Sequence, residues 1–490
     1  MSGKRIELRV DGDCLVADVA PEQIGFVPRR VWNPSPTVAH RTAPYDVPVQ
    51  LQMGIRVTEE SGAKFSPPPF AVVAESGVRR SLVAVAAEAG AHLWNQIDFV
   101  AESSGVRVVI DLEGHSEPAD WQPRVNVCVL DGGQDELPMD LLARGMRELY
   151  PDGAAGPGDV PGWWFRPIYC GWGDQVSTAM WRQGVGREGR AAAFCTQEMY
   201  EQWIARLAEA EVPVGTVVID AGWSGGARWE PDARRWPDLR GFVARQHEAG
   251  RRVLLWVGTW VCEGLPDEWC VFAGDIKVSV DPTHPEYRRF LREQISRLMA
   301  PDGYDADGMK IDQLSRAPGE RPPRSPRHVG GPKYHDMTRG KLSLAGAGWG
   351  CELLYQHQKD FYCAAKSVKP DALVTSSTVH PYFRDTFDMV RLHDTGPVSG
   401  DVVDAMKARA DLARAALPGI PIDTDDWVSR NYETWMRYTT ESYRLGVPCI
   451  FYSERFMENW DREPATRPIP IEDLRKIGRA WRESVPALRS

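Results

Sequence analysis

Between residues 166 and 453, short apolar runs alternate with stretches of helical periodicity, and this limits the architecture more than any other feature of the chain. Eight candidate strands are Arg166–Trp172, Gly215–Asp220, Arg252–Val257, Gly308–Asp312, Ala372–Ser377, Asp388–Asp394, Ile420–Asp425 and Cys449–Ser453. Helices with a 3.6-residue repeat separate most of them. Gln197–Glu211 sets Met199, Trp203, Ile204 and Leu207 on one face. Pro285–Ala300 sets Tyr287, Phe290, Leu291, Ile295 and Leu298 on a stripe, with Pro285 suited to the first helical position. Eight strands with helices between them predict an α/β fold, a (β/α)8 TIM barrel over residues 161–490. A doubly wound open sheet would alternate in the same way and would carry a glycine loop for phosphate after its first strand. The one Gly-x-Gly-x-x-Gly, Gly184-Val-Gly186-Arg-Glu-Gly189, instead follows Ala179-Met-Trp-Arg-Gln and is crowded by Arg187, Glu188 and Arg190. It reads as an exposed loop.

Residues 1–160 have a different period. Arg5–Asp11, Val49–Thr58, Phe70–Ala74, Ser81–Ala86, Ile97–Glu102, Val106–Leu112 and Arg124–Leu130 are short apolar or alternating runs, many bounded by Gly, Pro and Ser. They predict an N-terminal β-sandwich. A helix over Pro138–Leu149 follows. The Gly- and Pro-rich run 151–162 then reads as a linker into the second domain.

The chain has 490 residues with 43% hydrophobic content, enough for large packed cores. Its formal net charge of −10 argues against general affinity for nucleic acid or anionic membranes. No run approaches the roughly 18 uncharged apolar residues of a membrane span. The opening Met-Ser-Gly-Lys-Arg-Ile-Glu-Leu-Arg-Val has no apolar signal-peptide core. The 9 cysteines form no Cys-x-x-Cys, so free thiols in a reducing cytoplasm are the expectation. Of 19 tryptophans, only Trp32, Trp94 and Trp121 precede residue 160. That skew suggests flat apolar surfaces built around something in the second region.

Barrel chemistry sits at the C-terminal strand ends. Four of the candidate strands end in carboxylates there, at Asp220, Asp312, Asp394 and Asp425. Asp is a poor strand former and a good helix cap, so each alone could simply cap the next helix. Four on one rim favour an acidic pocket, and paired carboxylates are what glycoside hydrolysis needs. Trp172 and Asp174 close the first strand on the same rim, Trp223 follows Asp220, and Trp256 and Trp260 close the third. Lys310 shares a strand face with Asp312, and Arg391 lies three residues before Asp394. Rings beside carboxylates suit a sugar, which offers C–H faces and hydroxyl edges. A metal site finds no support in spacing, since no His-x-x-x-His or His-Glu-x-x-His occurs. Gly222-Trp-Ser224-Gly-Gly226 matches a nucleophile elbow formally, but Ala227-Arg-Trp-Glu-Pro231 is not a helix start.

Val217-Val-Ile-Asp-Ala-Gly-Trp223, Gly250-Arg-Arg-Val-Leu-Leu-Trp256 and Asp307-Gly-Met-Lys-Ile-Asp312, in that order, resemble clan D retaining glycoside hydrolases. The resemblance is chiefly to the α-galactosidase-like family 36, with families 27 and 31 more distant. Trp164-Phe-Arg-Pro-Ile-Tyr-Cys-Gly-Trp172 is similar to that group's first barrel strand. The resemblance spans about Gly162 to Ser453 and implies a retaining α-glycosidase with Asp312 as nucleophile and Asp394 as acid/base. Asp401, in Ser399-Gly-Asp-Val-Val-Asp404, is the rival acid/base, with a helix N-cap as its alternative role. The resemblance further implies substrate-binding roles for Trp172, Asp220, Trp223, Trp256, Lys310, Arg391 and Asp425.

The chain departs from the family pattern in three places. Ala221 replaces the second acid of Asp-Asp-Gly-Trp, Thr375-Ser-Ser-Thr378 replaces Cys-x-Gly-Gly-Gly, and a helix over Ile471–Ala487 replaces the C-terminal β-domain. Galactose specificity is therefore not implied. The expected partner is an oligosaccharide or other glycoside, with no cofactor or metal, and a homo-oligomer is left open. A transglycosylase with the same two carboxylates, or a non-catalytic carbohydrate-binding protein, remains an alternative.

Overall fold

The computed structural model describes residues 3–12, 14–32, 42–43, 48–51, 71–87, 96–102, 105–111, 125–151, 160–184, 188–273, 276–314, 350–392, 401–428, 431–458 and 465–485. The Gly/Pro-rich stretch around 152–159, the long segment 315–349, and residues 393–400 with Asp394 lie outside them.

The N-terminal part forms two antiparallel sheets. One runs Lys4–Ile6, Val125–Asp131, Arg79–Ala87, Ala71–Ser76, Arg30–Trp32, Thr42–Ala43; the other runs Arg9–Asp11, Cys14–Val19, Gly105–Asp111, Gln96–Glu102, Pro48–Leu51. Cys14–Val19 and Arg30–Trp32 are strands that the apolar runs did not reveal. Ala71–Ala74 and Leu82–Val85 are wholly buried, so this sheet is covered on both faces. The helix Pro138–Leu149 covers one of them. Its Gly145 lies so near strand Arg79–Ala87 that an added Cβ would stand 2.2 Å from Leu82 Cδ2. The same helix packs on Val402–Ala416 and so ties the sandwich to the barrel.

All eight predicted barrel strands are present and parallel. In order they are strand one (Ile168–Cys170), two (Thr216–Ile219), three (Arg252–Gly258), four (Gly308–Asp312), five (Leu373–Ser376), six (Met389–Arg391), seven (Ile422–Asp423) and eight (Cys449–Ile450). Strand eight returns to strand one, pairing Cys449 with Ile168 and Ile450 with Tyr169, and a bridge from Asp423 to Val447 closes the ring. An open sheet is thereby excluded.

The helices follow their caps. Thr196 accepts from the Met199 N–H at the start of Gln197–Glu209, and Pro285 opens Pro285–Met299. Gly308, which starts strand four at φ 155°, has no room for a Cβ, which would stand 2.0 Å from the Leu373 carbonyl oxygen. Gly184 ends the helix Trp172–Gln183 in the left-handed region at φ 67°, so the Gly-x-Gly-x-x-Gly begins as a helix stop rather than after a strand. Strand one is shorter than the apolar run suggested. It ends at Cys170, and Trp172 and Asp174 belong to that helix. Among the described residues no helix is long and apolar enough to cross a membrane.

Candidate active site

Register sorts the barrel interior into an apolar floor and a polar top. In paired parallel strands, residues in register share a face. Ile168 therefore lies below Cys170, Val218, Leu254 and Leu373, which are in register with one another, and Trp256, Lys310 and Thr375, with Arg391 and Asp423 one step higher, make the polar layer above them. The polar layer faces the C-terminal strand ends. A separate cavity of about 1110 Å³ opens where the strands begin, lined by Trp163, Phe165, Arg166, Ile422 and Val447 among others. It shares no residue with that layer.

Lys310 reaches across the barrel to strands one and two. Its Nζ donates to Asp220 Oδ2 at 2.7 Å and to Cys170 Sγ at 3.5 Å, and the Phe451 ring lies 5.2 Å away. Burial alone would pull the Lys310 pKa down. Attraction to Asp220, Cys170 and Asp312 outweighs burial and the repulsion of Arg391, so the ammonium is held well above its ordinary range. Asp220 Oδ2 also accepts from the Cys170 thiol at 3.0 Å, and Oδ1 accepts from the Ala221 N–H at 2.8 Å. Among the described residues, one further acceptor direction, on Oδ1, remains. The Asp220–Ala221 peptide is itself clamped: Asp220 N–H donates to the Tyr200 hydroxyl, Tyr200 donates to Gln175 Oε1, and Gln175 Nε2 donates to the Ala221 carbonyl.

On the other side of the mouth, Asp312 closes strand four. Trp256 Nε1 donates to its Oδ2 at 3.1 Å, and Arg391 Nη2 donates to its Oδ1 at 3.2 Å. The Arg391 guanidinium also donates from Nη1 to Asp425 Oδ2 at 3.2 Å. Arg391 is 2% exposed and Asp425 fully buried, whereas the Asp312 side chain is 28% exposed. Asp425 stands at φ 55°, and its Oδ1 accepts from the Asp426 and Trp427 N–H groups. Thr375 Oγ1 is buried with no hydrogen-bond partner among the described residues.

The sequence-derived site residues therefore fall into groups. Asp220 with Lys310, and Trp256, Asp312, Arg391 and Asp425, form two bonded clusters around one mouth. Trp223 is fully buried behind them, its Nε1 donating to the Trp256 carbonyl, so it backs Trp256 and presents no face of its own. Trp172 is half-buried, its ring 6.3 Å from Trp427. Trp260 is buried against His357. Asp174 is buried and receives the Tyr169 hydroxyl, the Ser453 hydroxyl and the N–H groups of Ser453 and Glu454. Burial pushes its pKa up to about 6 against those donors. Asp401 caps Val402–Ala416 by accepting from the Val403 N–H, and pairs with Arg437, which holds its pKa down. Asp394 lies outside the described residues. Among the described residues no group of three or more His, Cys, Asp or Glu could hold a metal ion.

Sequence reasoning did not single out Cys170, Gln175, Tyr200 or Asp423. Asp423 points into the polar layer from strand seven, and its Oδ1 accepts from the Asp425 N–H. Burial and then repulsion by Asp425 raise its pKa to about 6, against the pull of Arg391 and Lys310. The folded pKa lies above the unfolded one, so its contribution to stability is complete below about pH 4 and lost as pH rises through about 6. Asp423→Asn, which keeps the acceptor, removes that dependence. Stability against urea as a function of pH should show the wild type losing, relative to the variant, on the order of 2 kcal/mol between about pH 4 and pH 7. Parallel curves would exclude this role for Asp423.

No family model matches the chain, and no curated protein matches it. Its fold is nevertheless shared with solved enzymes. The cycloalternan-degrading enzyme from Trueperella pyogenes is 17% identical, with a TM-score of 0.57 covering 100% of this chain and 68% of that one. An Asp-to-Ala mutant of Kfla1895 in complex with cyclobis-(1->6)-alpha-nigerosyl is 14% identical, TM-score 0.57, covering 99% and 68%. A glycoside hydrolase family 31 dextranase of Flavobacterium johnsoniae, a mutant complexed with isomaltotriose, is 10% identical, TM-score 0.56, covering 90% and 52%. The chain thus spans between about half and two thirds of these proteins' lengths, and the likeness is one of fold.

Proposed function

We propose that the chain is a retaining α-glycosidase in which Asp312 is the nucleophile and Asp394 the acid/base. The observation that carries this reading is Asp312 itself. It is the partly open carboxylate in a ring of buried charges, at the end of strand four, with two donors fixing its oxygens. Both donors favour the ionised form, as a nucleophile requires. An Asp312 oxygen attacks the anomeric carbon while Asp394 gives its proton to the departing glycosidic oxygen, leaving a glycosyl ester on Asp312. Asp394, now a base, takes a proton from the water that opens the ester and restores both groups. Asp401 is the weaker acid/base candidate. It is spent on a helix cap and an arginine, and its pKa is moved the wrong way for a general acid.

Two things support an α-glucosidic rather than α-galactosidic substrate. Proteins of like fold are named for, or bound to, cycloalternan, isomaltose and isomaltotriose. Ala221 also withholds the second acid that the α-galactosidase motif carries. Placement in family 36 is accordingly given up in favour of the clan. Nitrophenyl α-glucoside and α-galactoside, with product anomers followed by NMR, test the reading. The α-anomer should be released first and glucoside preferred; a β-anomer appearing first would overturn retention.

A further inference from the structure

The residue after Asp312 is out of place on conformational grounds. Gln313 has φ 58°, in the left-handed region that an unbranched L side chain such as glutamine adopts at a cost. It is exposed, so no core packing explains the conformation. The turn is nonetheless held firmly. The buried Thr259 hydroxyl is shared between the carbonyl oxygens of Gln313, at 2.6 Å, and Asp312, at 3.1 Å, and the Thr259 N–H donates to the Asp312 carbonyl. The side chain then lies over Gly258. A Cβ added there would stand 2.8 Å from both Gln313 Oε1 and the outer edge of the Trp256 ring. Gly258 is thus buried where the Gln313 amide, the Trp256 ring edge and Val261 Cγ2 (2.7 Å from that Cβ position) meet, and its lack of a side chain lets the amide and the indole come together beside the carboxylate that Trp256 holds.

We infer that Gln313 is a specificity-determining residue that binds the sugar on the leaving-group side of the scissile bond. This inference rests on the glycosidase reading of the site. Asp220 and Lys310 lie deep in the barrel and would meet the glycone, whereas Gln313 follows Asp312 outward along the strand direction and is open to solvent. An amide beside a ring edge supplies a donor and an acceptor for hydroxyls next to a face for C–H groups. Strain retained at an exposed residue beside a reactive carboxylate is the expected mark of a side chain kept for its position.

The test compares Gln313→Gly, which relaxes the backbone and removes the amide, with Gln313→Asn, which suits the left-handed region and keeps it. Isomaltose carries a hydroxylated leaving group, and nitrophenyl α-glucoside does not. Gln313→Gly should lower kcat/KM on isomaltose about tenfold more than on the aryl glucoside, chiefly through KM, and Gln313→Asn should recover part of the difference. Its unfolding temperature should hold or rise by about 1 °C. Equal losses on the two substrates would mean that the turn only positions Asp312, and no loss on either would mean that Gln313 touches nothing; either result overturns the inference. If the wild type turns over neither substrate, the glycosidase reading fails separately. Calorimetric binding of isomaltose then decides for Gln313: weaker binding by Gln313→Gly supports it, and equal or undetectable binding by both proteins overturns it.

Discussion

Asp312→Asn is expected to lower kcat on nitrophenyl α-glucoside by about 10⁴-fold, a loss of roughly 5 kcal/mol of transition-state stabilisation. The substitution is nearly isosteric. It keeps an acceptor for one of the two donors that hold the side chain, Trp256 Nε1 and Arg391 Nη2, and Arg391 retains Asp425 as a partner. What it removes is the charge that forms the glycosyl ester. Stability should therefore change by no more than about 1 kcal/mol, which separates the chemical role from a structural one. A 2-fluoroglucosyl fluoride with the wild type should leave a covalent label on the peptide containing Asp312. A variant keeping more than about a tenth of wild-type turnover, or a label elsewhere, would remove Asp312 from the mechanism.

The second large effect concerns folding. Lys310→Met should cost about 3–5 kcal/mol, because it strands the Asp220 carboxylate in a pocket where both side chains are at most 6% exposed. A pH titration would not reveal this pair. A lysine whose pKa is raised contributes stability that is whole below its unfolded value near 10.5, and loses it only as pH climbs through the folded value. Substitution is the informative probe. Adding Asp220→Asn to Lys310→Met should restore about 2 kcal/mol of the loss in a double-mutant cycle read by urea denaturation. Strict additivity would show that the two groups do not depend on each other.

Strand four is readable from Gly308 to Asp312, because Gly and Asp bound the short run and only Lys310 interrupts its apolar residues, Met309 and Ile311. Strand one is overread by two residues at each end; at its C-terminal end Gly171 and Trp172 continue the apolar run while the backbone already turns into a helix. Cys14–Val19 and Arg30–Trp32 do not stand out locally, although each has one near pairing partner, Arg9–Asp11 and Thr42–Ala43, beside a distant one. At the site, residue type and strand-end position were enough to single out Asp220, Lys310 and Asp312. They could not show that Trp223 is buried behind Trp256, nor that Gln175 and Tyr200 clamp the Asp220 peptide from residues 25 and 20 positions apart from their partners. Such roles are made by packing between distant segments. Local pattern records propensity and periodicity, and neither carries a cross-barrel hydrogen bond.

The Asp174 clasp bears on how the barrel is made during synthesis. Its donors at Ser453 and Glu454 lie 279 and 280 residues downstream. Strand one, whose second neighbour is strand eight, therefore presents an open edge beside a carboxylate that has only its local Tyr169 donor until nearly the whole barrel has emerged from the ribosome. Closure cannot be an early event in this chain, and the nascent barrel spends most of its synthesis with its first strand in need of protection.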